Sequence, residues 1–238
     1  MILVNGQPAE TVDALDRGLA YGDGVFRTLR TRAGQPLWWR DQYAKLATDC
    51  SALMLACHEE AGLHAEVCRV AEAGEGVVKI LMTRGVGARG YALPQGQATT
   101  RIVLSAPLPA CAQAGSPDAV TARWCTLRLA RQPRLAGIKH LNRLENVLAR
   151  AEWNDPDIVE GLLCDDSGAV IGGVMSNLLM VKAGELLTPD LSQCGVAGVA
   201  RTRLLRAAAR LGMRIHIGRL LPDAILAADE VMISNSVI

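Results

Sequence analysis

At 238 residues the chain is long enough for one large domain or two modest ones. A formal charge of +1 gives no global field for nucleic acid or anionic membrane, and 3% aromatic content leaves little surface on which bases could stack. The seven cysteines are odd in number and contain no Cys-x-x-Cys pair, so they read as small buried thiols of a reducing compartment. Four scattered histidines form no metal-ligand pattern, and no metal is expected. The N-terminus reads as an Asn5-Gly6 turn rather than the apolar core of a leader, and no apolar run reaches membrane-spanning length, which together point to a cytoplasmic protein.

In chain order, residues 2–4, Asn5-Gly6 and the next short run predict a hairpin with a type I′ turn. Residues 16–24 are glycine-rich and read as a loop, 25–32 as a strand, and Ala33-Gly34-Gln35 as the turn that follows. Asp41 is placed to cap a helix reaching Leu55, with Tyr43, Leu46, Ala47, Cys50, Leu53 and Met54 on its apolar face. A second helix covers 61–73, and strands at 77–83 and 101–106 flank a loop at 84–96 that holds four glycines. Three prolines in 107–117 mark a linker at 107–118. The second half reads as a strand at 119–129, a loop at 130–138, a helix at 141–153 and a strand at 161–164. Two further strands split by Ala183-Gly184 follow, then a helix at 199–211, a strand at 213–217, a short helix at 223–228 and a strand at 230–234. The pattern is α+β (mixed α/β) with a smaller N-terminal domain over 1–106 and a larger one over 119–238, and a cleft between the halves is the default ligand site.

Four groups of residues could carry chemistry. Lys139 lies between apolar Ile138 and Leu141 at an expected loop-to-helix junction. A lysine in an apolar pocket becomes a nucleophilic amine, while one at a helix start can equally snorkel to solvent. Residues 195–201 open an expected helix whose backbone amides could hold a phosphate, or could form a plain turn. Ser234, Asn235 and Ser236 end a strand with small polar donors. Arg84, Arg89 and Tyr91 sit in a glycine-rich loop, where an arginine fork could bind a carboxylate or simply face water.

Taken together, 16–26 (Asp-Arg-Gly-Leu-Ala-Tyr-Gly-Asp-Gly-Val-Phe), Thr83-Arg84-Gly85, 135–145 around Lys139, Ser176-Asn177-Leu178 and 228–231 resemble the fold-type IV pyridoxal 5′-phosphate (PLP) enzymes over nearly the whole chain. Within that branched-chain-aminotransferase-like class, the Lys139-His140-Leu141-Asn142-Arg143 run is most similar to the aminodeoxychorismate lyase branch. The resemblance implies a two-domain fold with PLP between the domains, and a homodimer acting on a small molecule. It implies Lys139 as the lysine that bonds PLP and serves as the general base, with Thr28 as a second catalytic residue near the substrate. Cofactor contacts would fall to Lys45, Gly172, Asn177, Val199, Ala200, Asn235 and Ser236, and substrate contacts to Tyr21, Arg89, Tyr91 and Asn142. The implied reaction converts 4-amino-4-deoxychorismate to 4-aminobenzoate and pyruvate. A D-amino-acid or branched-chain aminotransferase and a catalytically weakened PLP-binding homologue are the alternatives.

The sequence departs from that pattern in three places. Gly172 stands where the family places a glutamate for the pyridine nitrogen, with no carboxylate close by in the sequence. Lys45 stands where the family has a phosphate-binding arginine, exchanging a bidentate fork for a point charge. The resemblance also implies a further segment after Ile238.

Overall fold

The computed structural model describes residues 1–71, 74–96, 98–109, 112 and 119–238. The chain divides into two compact units. The first takes Met1–Gly115 together with Lys139–Asn142 and Val237, and the second takes Ser116–Ile138, Arg143–Ser236 and Ile238. The expected linker at 107–118 lies largely outside the described residues. The return of residues 139–142 to the first unit has no counterpart in the order of elements along the sequence.

The first unit is built on a six-stranded antiparallel sheet of β1 (Ile2–Val4), β2 (Gln7–Pro8), β3 (Gly24–Arg32), β4 (Gln35–Pro36), β5 (Glu75–Thr83) and β6 (Thr100–Pro107), in the order β2-β1-β6-β5-β3-β4. Asn5 and Gly6, both at positive φ, close the expected first hairpin. Three helices accompany the sheet: α1 (Arg17–Tyr21), α2 (Trp39–Ala52) and α3 (Glu60–Val70). Helix α2 packs on β3, and α3 on β6. Alternation along β3 and β5 turns Val25, Leu29, Val78, Ile80 and Met82 into the core, where Leu46, Leu63 and Val67 of the helices are also buried. Each such side chain contributes roughly 1.5–3 kcal/mol by leaving water.

Three local expectations are corrected in this unit. Residues 16–24 are not all loop, because Asp16 accepts the Gly18 amide and caps α1. Asp41 does not cap α2: the helix starts from Trp38 in a left-handed conformation, and Asp41 lies in the first turn. The buried face of α2 carries Gln42 and Asp49 beside Leu46 and Cys50, whereas Met54 lies exposed beyond the helix end.

The second unit holds two sheets. One orders β7 (Thr121–Leu129), β8 (Ile158–Asp165) and β9 (Val170–Gly173), with β7 parallel to β8. The other orders β12-β11-β10-β13, from β10 (Asn177–Lys182), β11 (Glu185–Pro189), β12 (Ile215–Gly218) and β13 (Glu230–Ser234). Its helices are α4 (Leu144–Arg150), α5 (Val199–Arg210) and α6 (Pro222–Leu226). Trp153 is buried among Cys125, Leu129, Leu163 and Ile171, and Leu178 among Leu162, Val170 and Ile225. The helix expected at 141–153 is shortened to α4, because residues 139–141 are taken up by pairing with β3.

All described cysteines are free, and Cys111 lies outside the described residues. Burial pushes the Cys125 thiol up to about 11 and the Cys194 thiol to about 12, so both stay protonated and unreactive. No described helix is long and apolar enough to cross a membrane.

Candidate active site

In the first unit, Lys139 sits on a short antiparallel extension of β3, not at a helix start. The Phe26 amide donates to the Lys139 carbonyl at 2.9 Å, and the Leu141 amide donates to the Gly24 carbonyl at 2.9 Å. His140 bridges to Val25, so alternation places Lys139 on the Phe26 face of the sheet. Its Nζ lies 4.5 Å from the Phe26 ring centroid, and the Nζ of Lys79 lies 5.1 Å from the same centroid. Thr28 shares that face, paired in register with Lys79. Two ammonium groups, an aromatic ring and a hydroxyl therefore occupy one patch of sheet. The family resemblance named Lys139 and Thr28, which share this face, but not Lys79; the alternation of two paired strands was the signal for it.

The opposite face of β3 carries Arg27, which is buried. A charge taken out of water needs a partner. Asp49 of α2, itself only 1% exposed, accepts from Arg27 at 3.1 Å and from the Lys139 amide at 3.2 Å through Oδ2, while Oδ1 accepts from Lys45. Burial lowers the pKa of both Arg27 and Lys45, and Asp49 partly offsets this. Two cations against one carboxylate leave a surplus positive charge, and Lys45 is its half-buried, accessible member. Such a cluster suits an anion.

The loop after β5 is tied down by Asp23. Its Oδ2 accepts from Arg17 at 2.9 Å and from Arg84 at 2.8 Å. Burial would raise the Asp23 pKa, but these two guanidinium groups outweigh it and hold the carboxyl below its usual range. Arg17 also donates to the Gly90 carbonyl, and the Gly90 amide donates to the Tyr21 hydroxyl. Tyr21 and Tyr91 rings lie 5.3 Å apart, centroid to centroid. Arg89 and Tyr91 are exposed on this anchored loop, and Asn142 packs against Gly22 at its base.

In the second unit, Asn177 organises the start of α5. Its side chain donates to the Val196 carbonyl at 2.7 Å and accepts the Gly198 amide at 3.0 Å. A Cβ on Gly198 would collide with that same Asn177 oxygen, so the close approach requires glycine. No side chain caps α5, and Val199 and Ala200 are buried there. Asn177 pairs in register with Ser234, whose buried hydroxyl has no hydrogen-bond partner. Uncapped helix amides and an orphaned hydroxyl fit an oxyanion such as a phosphate. Asn235 and Ser236 follow Ser234, but the Asn235 side chain is engaged with the Met175 carbonyl and the Ile238 amide.

Gly172 lies in β9, and a Cβ there would come within 2.9 Å of the Ser176 carbonyl. A carboxylate distant in the sequence does lie nearby in space. Glu160 of β8 is buried, and its Oε2 lies 2.6 Å from where a Gly173 Cβ would be. It is fully engaged with the 173–176 turn, accepting from the amides of Gly161, Val174 and Met175 and from the Ser176 hydroxyl. It holds the turn that precedes Asn177 and is not free to replace the missing family glutamate. Among the described residues no cluster of three His, Cys, Asp or Glu side chains could hold a metal ion.

The amino-transferase class IV family model matches residues 24–238. A curated relative named aminodeoxychorismate lyase from Vibrio harveyi is 31% identical over 100% of this chain and 88% of its own length. The crystal structure of 4-amino-4-deoxychorismate lyase from Pseudomonas aeruginosa is 44% identical with a TM-score of 0.93, covering 100% of this chain and 88% of that one. The branched-chain amino acid aminotransferase structure from Escherichia coli is 23% identical with a TM-score of 0.84, covering 99% and 83% of the two chains, and shares the fold. The chain belongs to the amino-transferase class IV family.

Proposed function

We propose that this chain is a PLP-dependent carbon–carbon lyase that converts 4-amino-4-deoxychorismate to 4-aminobenzoate and pyruvate. The observation that carries the reading is the pair of ammonium groups on the Phe26 ring. Lys139 is the amine for covalent and proton-transfer chemistry, and Lys79 is a second cation for a substrate with two carboxylates. The two lyases similar to the chain over its whole length support the same assignment.

Bound PLP supplies an aldehyde for a lysine amine and a ring that withdraws electrons from the carbon bearing the substrate nitrogen. The family resemblance assigns its phosphate to Lys45, Val199, Ala200 and Ser236; within the second unit the Val199 and Ala200 amides and the Ser234 hydroxyl suit that role. Gly172 offers no acid to the pyridine nitrogen, so ring withdrawal is weaker. Formation of an aromatic product compensates. Lys139 Nζ takes the proton from the amine-bearing carbon and returns a proton to the departing three-carbon fragment. Thr28 presents a hydroxyl on the shared face. Lys79 and Arg89 neutralise the substrate carboxylates, while Tyr21, Tyr91 and Asn142 line the anchored loop. The same reading places the enzyme in the cytoplasm as a homodimer.

The deciding test gives purified protein PLP and 4-amino-4-deoxychorismate and follows 4-aminobenzoate and pyruvate together. Equal release of both, abolished in Lys139→Ala, is the expected result. No release from protein that still shows a Lys139-dependent PLP absorbance band would overturn the lyase and leave a weakened binder.

A further inference from the structure

Asp49 has no assigned part in the chemistry, yet its carboxylate touches both ends of the proposed cofactor attachment. Its Oδ2 accepts the backbone N–H of Lys139, and its Oδ1 accepts the ammonium of Lys45 one helical turn earlier on α2. Arg27 Nη2, at 3.1 Å and 3% exposed, is the cation that pairs with this carboxylate inside the core. We infer that Asp49 is a positioning residue that fixes Lys139 and Lys45 relative to one another, and thereby sets the spacing between the covalent and phosphate attachments of PLP. The inference rests on the proposed PLP chemistry.

The physical argument has two branches. Lys139 begins a short extension of β3 over residues 139–141, and its amide bonds the Asp49 carboxylate. A carboxylate on that amide is a charge-assisted hydrogen bond, and it pins the main chain from which the reactive amine hangs. Lys45 has a long, entropically costly side chain and stands near Arg27, whose charge repels it. Asp49 removes the repulsion and selects one arrangement of the ammonium. Without Asp49, Lys45 swings outward to water and leaves Arg27 unpaired in the core.

Two probes separate the branches. PLP engages both; pyridoxal, which lacks the phosphate, engages only Lys139. Binding is read from the absorbance band that Lys139→Ala abolishes, for the wild type, Asp49→Asn, Lys45→Met and the double variant. On PLP, each single change is expected to weaken binding by roughly 5–20-fold, and the double to be weaker than the poorer single by less than about 3-fold, because Asp49 acts partly through Lys45. On pyridoxal, Asp49→Asn is expected to weaken binding by about 3-fold or more, with Lys45→Met unchanged. Additive losses on PLP with pyridoxal binding unaffected by Asp49→Asn would overturn the inference, leaving Asp49 as a core partner of Arg27 alone. If Asp49→Asn does not fold, the pair Arg27→Met/Asp49→Leu removes the buried cation with its partner and supplies the same arm of the cycle. Absence of any Lys139-dependent band in the wild type would instead overturn the PLP reading itself, and this inference with it.

Discussion

The two units present their candidate anion-binding groups by opposite physical means. The first uses charge: Arg27, Asp49, Lys45, Lys79 and Lys139 bring four cations and one carboxylate to one end of β3. The second uses neutral geometry: the Asn177 amide, uncapped backbone N–H groups of α5 and the Ser234 hydroxyl, all resting on a turn held by Glu160. Charges give reach and sensitivity to salt and pH, whereas backbone donors give fixed direction and little sensitivity to either. The difference teaches that anion binding here should be separable into a titratable part and a rigid part.

The largest expected effect falls on the rigid side. Glu160→Ala takes the acceptor from the Met175 amide and the Ser176 hydroxyl and one acceptor from the Gly161 and Val174 amides, Val174 keeping the Gly161 carbonyl. Urea unfolding should register a loss of about 3 kcal/mol or more, and a loss under 1 kcal/mol would show that water replaces the carboxylate readily. Gly198→Ala comes next, since its Cβ meets the Asn177 oxygen. It should cost about 1–3 kcal/mol and weaken PLP binding even where the protein is folded. Unchanged PLP affinity would detach the α5 amides from the phosphate.

Gly172→Glu sharpens the comparison from another direction. The new side chain must shift the Ser176 carbonyl, so a stability loss of about 1–3 kcal/mol is expected. Product formation measured against the starting sequence should change in spite of this, and a ratio near one would show that no acid is needed at this position.

The titratable side should respond to pH. Lys45 has a lowered pKa through burial, so its charge is lost as pH rises, below the ordinary lysine range. PLP affinity should fall through that window, and Lys45→Arg should move the fall upward. Stability moves the other way: the penalty for charging a buried lysine is present at lower pH and disappears as pH rises past the unfolded value. Asp23 shows the converse sign. Its depressed pKa contributes stability above the usual carboxylate range, lost as pH falls through the folded value. Hydrogen exchange at the Gly90 amide should report the loop loosening on acidification before the core does. The smallest effect belongs to Arg131→Ala, an exposed ion pair with Asp166, which should leave unfolding and binding unchanged.

The sequence by itself determined most of the strands and helices, because hydrophobic period, Asn-Gly and Ala-Gly turns and the glycine before α5 are local signals. It also singled out Lys139 as the candidate reactive amine, through a motif match rather than through periodicity. Only the tertiary structure decided that residues 139–141 extend β3 instead of starting a helix, since that conformation depends on hydrogen bonds to residues more than a hundred positions away. The same holds for Lys79, which the pairing of β3 with β5 brings beside Lys139. Asp49 and Glu160 were invisible for a related reason. A buried carboxylate looks in sequence like any solvated acid, and only the donors gathered around it from distant segments reveal why it can be there.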